Sequence, residues 1–269
     1  MEHRRVVIGA VVPAFALAPG GVCATAIRAQ QAGALVDTSL ASRSRVSARG
    51  VRRARGARTM RMQQAAGDAQ GQAAAPVHVK RVLVPIANGS EEIETACITD
   101  TLVRAGADVT VASVELIRVC TMSRGLKIDA DAMIDDVKDM HFDLIAMPGG
   151  MPGAERLRDC ATLKEMLLQQ DSMNKRIAAI CAAPAVILAP HGILKDRRAT
   201  CFPAKHFLDA LPIPIDTDED SVVIAGNITT SKGPGTALVF ALSLVEQMFG
   251  SAKALELAGT MLLDPAESW

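Results

Sequence analysis

The 269-residue chain has no tyrosine, six phenylalanines and one tryptophan, Trp269, so aromatic residues make up only 3%. Proteins that hold single-stranded nucleic acid stack bases on aromatic side chains, and a chain this poor in them offers no such platform. It also lacks any C-x-x-C pair and any cysteine–histidine spacing suited to a metal, which leaves zinc and dithiol readings without support. No phosphate-binding G-x-x-x-x-G-K-[ST] loop occurs, because Gly233-Pro234-Gly235 has the wrong spacing. Nor does one sign of charge dominate, with 29 Lys and Arg against 29 Asp and Glu. That balance is uneven along the chain. Residues 1–80 hold 12 of the basic residues but only three acids (Glu2, Asp37, Asp68), leaving 17 and 26 beyond, a net −9. An acidic folded part opposes a polyanion, so the basic leader is not read as a nucleic-acid arm.

Eleven of the 12 leading basic residues are arginine, and residues 42–61 carry Arg43, Arg45, Arg49, Arg52, Arg53, Arg55, Arg58 and Arg61 without one acid. An Arg-rich, acid-poor, Ser-containing leader reads as a transit peptide. Ahead of it, Glu2-His3-Arg4-Arg5 precedes an apolar run over residues 6–18. That order is typical of a secretory signal, yet 13 residues interrupted by Pro13 fall short of the roughly 20 that span a bilayer. This pattern gives delivery to an organelle, a mitochondrion or a plastid, with no membrane segment in the mature form. The alternative is a translation start at Met60 or Met62, which leaves a cytoplasmic protein. Residues 63–75 are almost only Gln, Ala and Gly, a solvated linker with too little apolar surface to pack. The chain therefore divides into a leader and linker, 1–76, and one folded domain, 77–269.

Beyond the linker, apolar-dense runs of strand length alternate with helical stretches. Strands are predicted over residues 79–86, 108–114, 142–147, 176–180, 198–201 and 222–228, and helices over 91–105, 161–170, about 182–191 and 237–248. Asn88 with Glu91 three residues on fits a capping box, and Gly106 fits a helix stop. Strands separated by helices of this length form a parallel sheet covered on both faces. The expected class is a flavodoxin-like, doubly wound α/β sandwich. Ligands of such folds bind beyond the carboxyl ends of the strands, where three loops stand: residues 88–94, 148–153 and 179–184.

Six cysteines occur: Cys23, Cys97, Cys120, Cys160, Cys181 and Cys201. Cys97 and Cys160 read as small packing residues, and Cys120 and Cys201 as loop-proximal thiols for which oxidation is the lesser alternative. Cys181 is different. It follows the apolar strand 176–180 and precedes Ala-Ala-Pro-Ala-Val-Ile-Leu, a strand-to-helix elbow of the kind that presents a nucleophile. A helix N-terminus favours a thiolate by about 0.3–1 kcal/mol, at most ~2. Lowering a thiol pKa from about 8.5 to about 5.5 takes roughly 4 kcal/mol. The dipole alone is insufficient, so a partner is needed.

Four segments occur in order: Gly89-Ser-Glu-Glu-Ile-Glu94-Thr95, Pro148-Gly149-Gly150-Met-Pro-Gly153-Ala154, Ala178-Ala-Ile-Cys181-Ala-Ala-Pro184 and Ser231-Lys-Gly-Pro-Gly-Thr236. Together they resemble the ThiJ/PfpI superfamily, and within it the Parkinson-disease-protein (protein deglycase) branch. The resemblance implies that Cys181 is the functional cysteine and Glu94 its partner. Two negative charges about 4 Å apart repel by roughly 4 kcal/mol at an effective dielectric of ~20, so the two groups are expected to titrate as one system, with Glu94 keeping its proton beside the thiolate. The amides of Gly149, Gly150 and Ala182 are candidates to polarise a substrate carbonyl. The resemblance also places Arg104 and Arg124 near a homodimer contact as candidate anion ligands, an ordinary solvated surface being the alternative. Many relatives carry a His in a Thr-x-His-Pro-like loop; here Thr200-Cys201-Phe202-Pro203 puts Phe202 at that place, so a Cys–His–carboxylate triad is unavailable. Peptidase members carry His after the cysteine where this chain has Ala182, which argues against proteolysis. The implied activity is cofactor- and metal-independent detoxification of small dicarbonyls, or repair of glycated protein side chains. The alternative is a redox sensor, chaperone or regulatory partner acting through oxidation of Cys181.

Overall fold

The computed structural model describes residues 79–216 and 221–263. The leader and linker expected over residues 1–76 lie outside them. Strand β1 (Arg81–Ile86) is followed by helix α1 (Glu92–Ala105) and β2 (Asp108–Ser113). A hairpin of β3 (Val119–Thr121) and β4 (Lys127–Asp129) leads to β5 (Ala132–Met133) and a single turn, α2 (Ile134–Val137). Next come β6 (Leu144–Met147), α3 (Gly153–Asp159), α4 (Ala161–Ser172) and β7 (Arg176–Ile180). After a π-helical turn (Pro184–Leu188) the chain forms β8 (Arg198–Ala199), α5 (Lys205–Leu208) and β9 (Ile213–Pro214). The hairpin β10 (Val222–Ala225) and β11 (Ile228–Ser231) precedes α6 (Ala237–Phe249) and α7 (Ser251–Thr260).

The main sheet runs in the order β10-β11-β7-β6-β1-β2-β5. Every pairing in it is parallel except β10 with β11. Successive side chains of a strand point to opposite faces, and both faces are filled. Leu83, Ile145, Met147, Ile177 and Ala179 pack with Leu157, Leu163 and Leu167 of α3 and α4. Val82, Val84, Ile86, Leu144, Ala146, Ala178 and Ile180 pack on the other side with Ile98 and Leu102 of α1 and Phe240 of α6. This is the doubly wound α/β sandwich that the alternating pattern predicts.

Several details differ from the sequence reading. The single strand expected over 222–228 is a hairpin, because Gly226 takes a left-handed φ of 65° and turns the chain back. The strand at 198–201 leaves the main sheet and pairs with β9. The cap of α1 is Glu91, whose carboxylate accepts from Glu94 N–H at 2.8 Å. Asn88 is diverted, its Oδ1 accepting from Thr121 N–H of β3 at 2.8 Å. Gly106 ends α1 as expected, with φ 95° and its N–H on the Leu102 and Val103 carbonyls.

Candidate active site

Strands β7, β6 and β1 are neighbours in the sheet, and the chain leaves β1 and β6 in opposite directions, the switch point at which such sheets bind ligands. That neighbourhood brings together Cys181 after β7, Gly149-Gly150 after β6 and Glu94 in the first turn of α1. Cys181 has φ 63°, a left-handed conformation that costs a non-glycine residue roughly 1–2 kcal/mol. It is pinned from both sides: its N–H donates to Ser231 O at 3.0 Å and its carbonyl accepts from Phe202 N–H at 2.8 Å. β11 and the loop after β8 thereby hold the elbow in its strained form, with the thiol half-buried rather than sealed.

Glu94 is fully buried. Its Oε2 accepts from Gly149 N–H at 2.7 Å. Its Oε1 is buried with no hydrogen-bond partner, and Cys181 is the neighbour to which the carboxyl is electrostatically coupled. Burial raises the Glu94 carboxyl to about 7, opposed by the Gly149 hydrogen bond and the Cys181 thiol. Burial, then the Glu94 carboxyl, push Cys181 up to about 12, while the Gly150 and Ala182 amides pull it down. The structure thus does not lower the thiol on its own. The pair loses one proton at about 7 and holds the other up to about 12, because burial and mutual repulsion disfavour losing both.

The three amides proposed for a substrate carbonyl have different partners. Gly149 N–H is occupied by Glu94, so it orients the acid and is not free for substrate. Gly150 and Ala182 line the cavity beside Cys181, their amides counter the rise of its thiol, and they remain the oxyanion candidates. Gly149 has a further role: a Cβ there would lie 2.7 Å from Cys181 Cβ and 2.8 Å from Ala182 N, so only glycine lets the β6 loop reach the elbow.

A cavity of about 280 Å³ opens over Cys181, lined by Glu91, Ser123, Arg124, Gly150, Met151, Ala182, Phe202, Phe207 and Pro234. Arg124 is at this rim, its guanidinium donating to Ser123 O at 3.2 Å. Arg104 is not: it lies exposed in the last turn of α1, 2.7 Å from Asp100. Glu92 holds the hairpin loop, accepting from Ser123 Oγ at 2.7 Å and Arg124 N–H at 2.8 Å. Ser123 and Phe207 escaped the sequence reading, since their segments carry no motif and meet the cysteine only in three dimensions, whereas Met151 and Pro234 lie within motif segments but received no role there. None of His141, His191 and His206 lines the cavity. Cys120 and Cys201, for which oxidation is the lesser alternative, are fully buried, Cys120 against Ser113 Oγ at 3.3 Å. Among the described residues, no three His, Cys, Asp or Glu side chains converge as metal ligands, and no helix is long and apolar enough to cross a membrane.

Residues 80–247 match the DJ-1/PfpI family. The chain belongs to that family. Protein DJ-1 homolog B of Arabidopsis thaliana is 43% identical over 186 residues, covering 69% of this chain and 42% of that protein. The chain spans less than half the length of this relative and of its homolog A, of which it covers 47%. A Caenorhabditis elegans relative named glutathione-independent glyoxalase DJR-1.2 is 38% identical over 184 residues, covering 65% of this chain and 91% of that protein. The structure of Toxoplasma gondii DJ-1, oxidized, superposes with a TM-score of 0.66 and 45% identity, covering 69% of this chain and 99% of that one. The DJ-1 branch of the family, inferred from four short segments, is therefore correct.

Proposed function

We propose that the chain converts 1,2-dicarbonyls such as methylglyoxal to hydroxy acids through Cys181, without a cofactor, and releases early dicarbonyl adducts from protein side chains at the same site. One observation carries this reading: Gly149 N–H holds one oxygen of the fully buried Glu94 at 2.7 Å while the other oxygen has no partner, and Cys181, to which that carboxyl is coupled, lines one cavity with Gly150 and Ala182. A nucleophile and two backbone amides line one cavity, with a buried carboxyl coupled to the nucleophile behind it, the parts needed to add a thiol to an aldehyde and then move a hydrogen. Similarity to the relative named a glutathione-independent glyoxalase supports it.

The reactive form of the singly protonated pair has the charge on sulfur and the proton on Glu94. The thiolate attacks the aldehyde carbon; the S–C bond forms and the C=O π pair moves to oxygen, which takes the Glu94 proton beside the two amides. Glu94, now a carboxylate, removes the hydrogen from that carbon, and the electron pair it leaves gives an enediol-type intermediate. The hydroxyl proton of the first carbon passes to the neighbouring oxygen, and Glu94 returns its proton to the neighbouring carbon. Water cleaves the resulting 2-hydroxy thioester to lactate and free thiol. Methylglyoxal plus water gives lactate, with no net oxidation. For a glycated side chain, the departing thiol or amine takes the proton instead. Lactate formation by wild type and Cys181→Ser tests the scheme. The serine variant loses at least about 10²-fold in kcat/KM, and retention of the wild-type rate would falsify the scheme.

A second reading, peroxide sensing, draws on the same sulfur. Two equivalents of peroxide take a thiolate to sulfinate with release of two waters, and the Gly150 and Ala182 amides with a protonated Glu94 suit its oxygens. Selective gain of two oxygens on Cys181 by mass spectrometry, without dicarbonyl turnover, favours this reading.

A further inference from the structure

The cavity over Cys181 is larger and more apolar than a three-carbon substrate requires. Its volume of about 280 Å³ exceeds the ~150 Å³ of an apolar cavity that admits benzene, whereas methylglyoxal has five non-hydrogen atoms. Polar groups in the lining are few: Glu91, Ser123 and Arg124. Of these, Glu91 is committed to capping α1 and Ser123 Oγ to Glu92. The remaining wall is Met151, Phe202, Phe207 and Pro234. Met151 and Phe202 stay 43% and 42% exposed. Large apolar side chains left open around a reacting sulfur are a surface suited to an apolar ligand. Phe202 is also fixed relative to the chemistry. Its N–H donates to the carbonyl of Cys181 itself at 2.8 Å, and its ring lies against Gly233, where an added Cβ would be 3.5 Å from Cδ2.

We propose that the preferred substrates are α-oxoaldehydes whose ketone carries an aryl or bulky alkyl group, and that Phe202 selects them. This rests on Cys181 being the nucleophile. The aldehyde end sits at the sulfur and the two amides, and the ketone substituent lies on the Phe202 ring with Met151 and Phe207 around it. The reaction is unchanged: phenylglyoxal plus water gives mandelate, by the same bonds made and broken.

The test compares kcat/KM for mandelate formation from phenylglyoxal with that for lactate formation from methylglyoxal, using the full chain, Phe202→Ala and Phe202→His. Apolar complementarity in a pocket discriminates by about 10–200-fold, so wild type favours phenylglyoxal by about tenfold or more. Phe202→Ala lowers that ratio at least about fivefold, mainly through KM. Phe202→His, which keeps a ring but adds polarity, lowers it less. Thermal melts check that each variant is folded, which the exposure of Phe202 favours. A wild-type ratio of one or less, or a ratio unchanged in both variants, overturns the proposal while leaving Cys181 chemistry intact. Wild type that forms neither product overturns both, and Cys181→Ser with undiminished turnover overturns the nucleophile assignment and with it the proposal that rests on it.

Discussion

Replacing Glu94 with Gln separates the charge of the acid from its shape. Gln keeps a carbonyl oxygen for the Gly149 N–H, now 2.7 Å from Oε2, and turns an NH₂ donor towards Cys181. The Glu94 charge is, after burial, what pushes the thiol up to about 12. Two like charges about 4 Å apart repel by about 4 kcal/mol at an effective dielectric of ~20, equivalent to about three pH units. Burial persists in the variant, so three units is the ceiling of the change. Glu94→Gln therefore makes Cys181 a better-ionised thiol and a worse catalyst: alkylation moves to lower pH while turnover loses the roughly 10²–10⁴-fold that a positioned proton carrier supplies. The assay is iodoacetamide alkylation against pH, read by mass on the peptide containing Cys181 because Cys97 and Cys160 are also partly exposed, with lactate formation measured in parallel. An alkylation profile superposable on wild type, or undiminished lactate formation, would refute the shared-proton account.

Other expectations follow from the same geometry. Glu94 raised from 4.5 to about 7 keeps its proton in the fold where the unfolded chain has lost it. Its stabilising contribution of about 3 kcal/mol is full below about 4.5 and lost as pH rises through about 7. Urea midpoints at pH 5 and pH 8 should fall more for wild type than for Glu94→Gln; equal falls contradict this. The acidic limb of kcat/KM should likewise rise through about 7, as the pair loses its first proton. Gly149→Ala places a methyl against Cys181 Cβ and the Ala182 amide, costing about 1–3 kcal/mol in urea unfolding and more than tenfold in lactate formation. Asp171→Ala strips an acceptor from Arg197, at 2.7 Å, and from Asn227 Nδ2, at 3.1 Å. It should cost about 1–3 kcal/mol of stability and leave kcat unchanged, because this cluster lies at the opposite end of β7 from Cys181.

The readable parts of this protein were those written in local pattern. β1, β2, β6 and β7 are apolar runs of strand length bounded by turn residues, and α1, α4 and α6 are amphipathic stretches between them, so class and order follow from periodicity. Cys181 could be singled out because a cysteine between an apolar strand and an early-proline helix makes an elbow. Shorter elements were illegible: β3, β4, β5 and β9 have two or three residues each, too few to establish a period. The Asn88 cap failed for a related reason, since a hydrogen bond to Thr121, 33 residues away, outcompeted the local one.

Sequence by itself determined the alternating architecture, the position of the cysteine and, through motif order, the family. Only the tertiary structure decided which amide serves which group: Gly149 for the carboxyl, Gly150 and Ala182 for the sulfur. It also decided that Phe202, Met151, Phe207 and Pro234 form one apolar wall. The physical reason is that periodicity is a property of neighbours along the chain. Proton sharing and cavity shape depend instead on distances between residues 94, 149 and 181, which are fixed only when β1, β6 and β7 lie side by side.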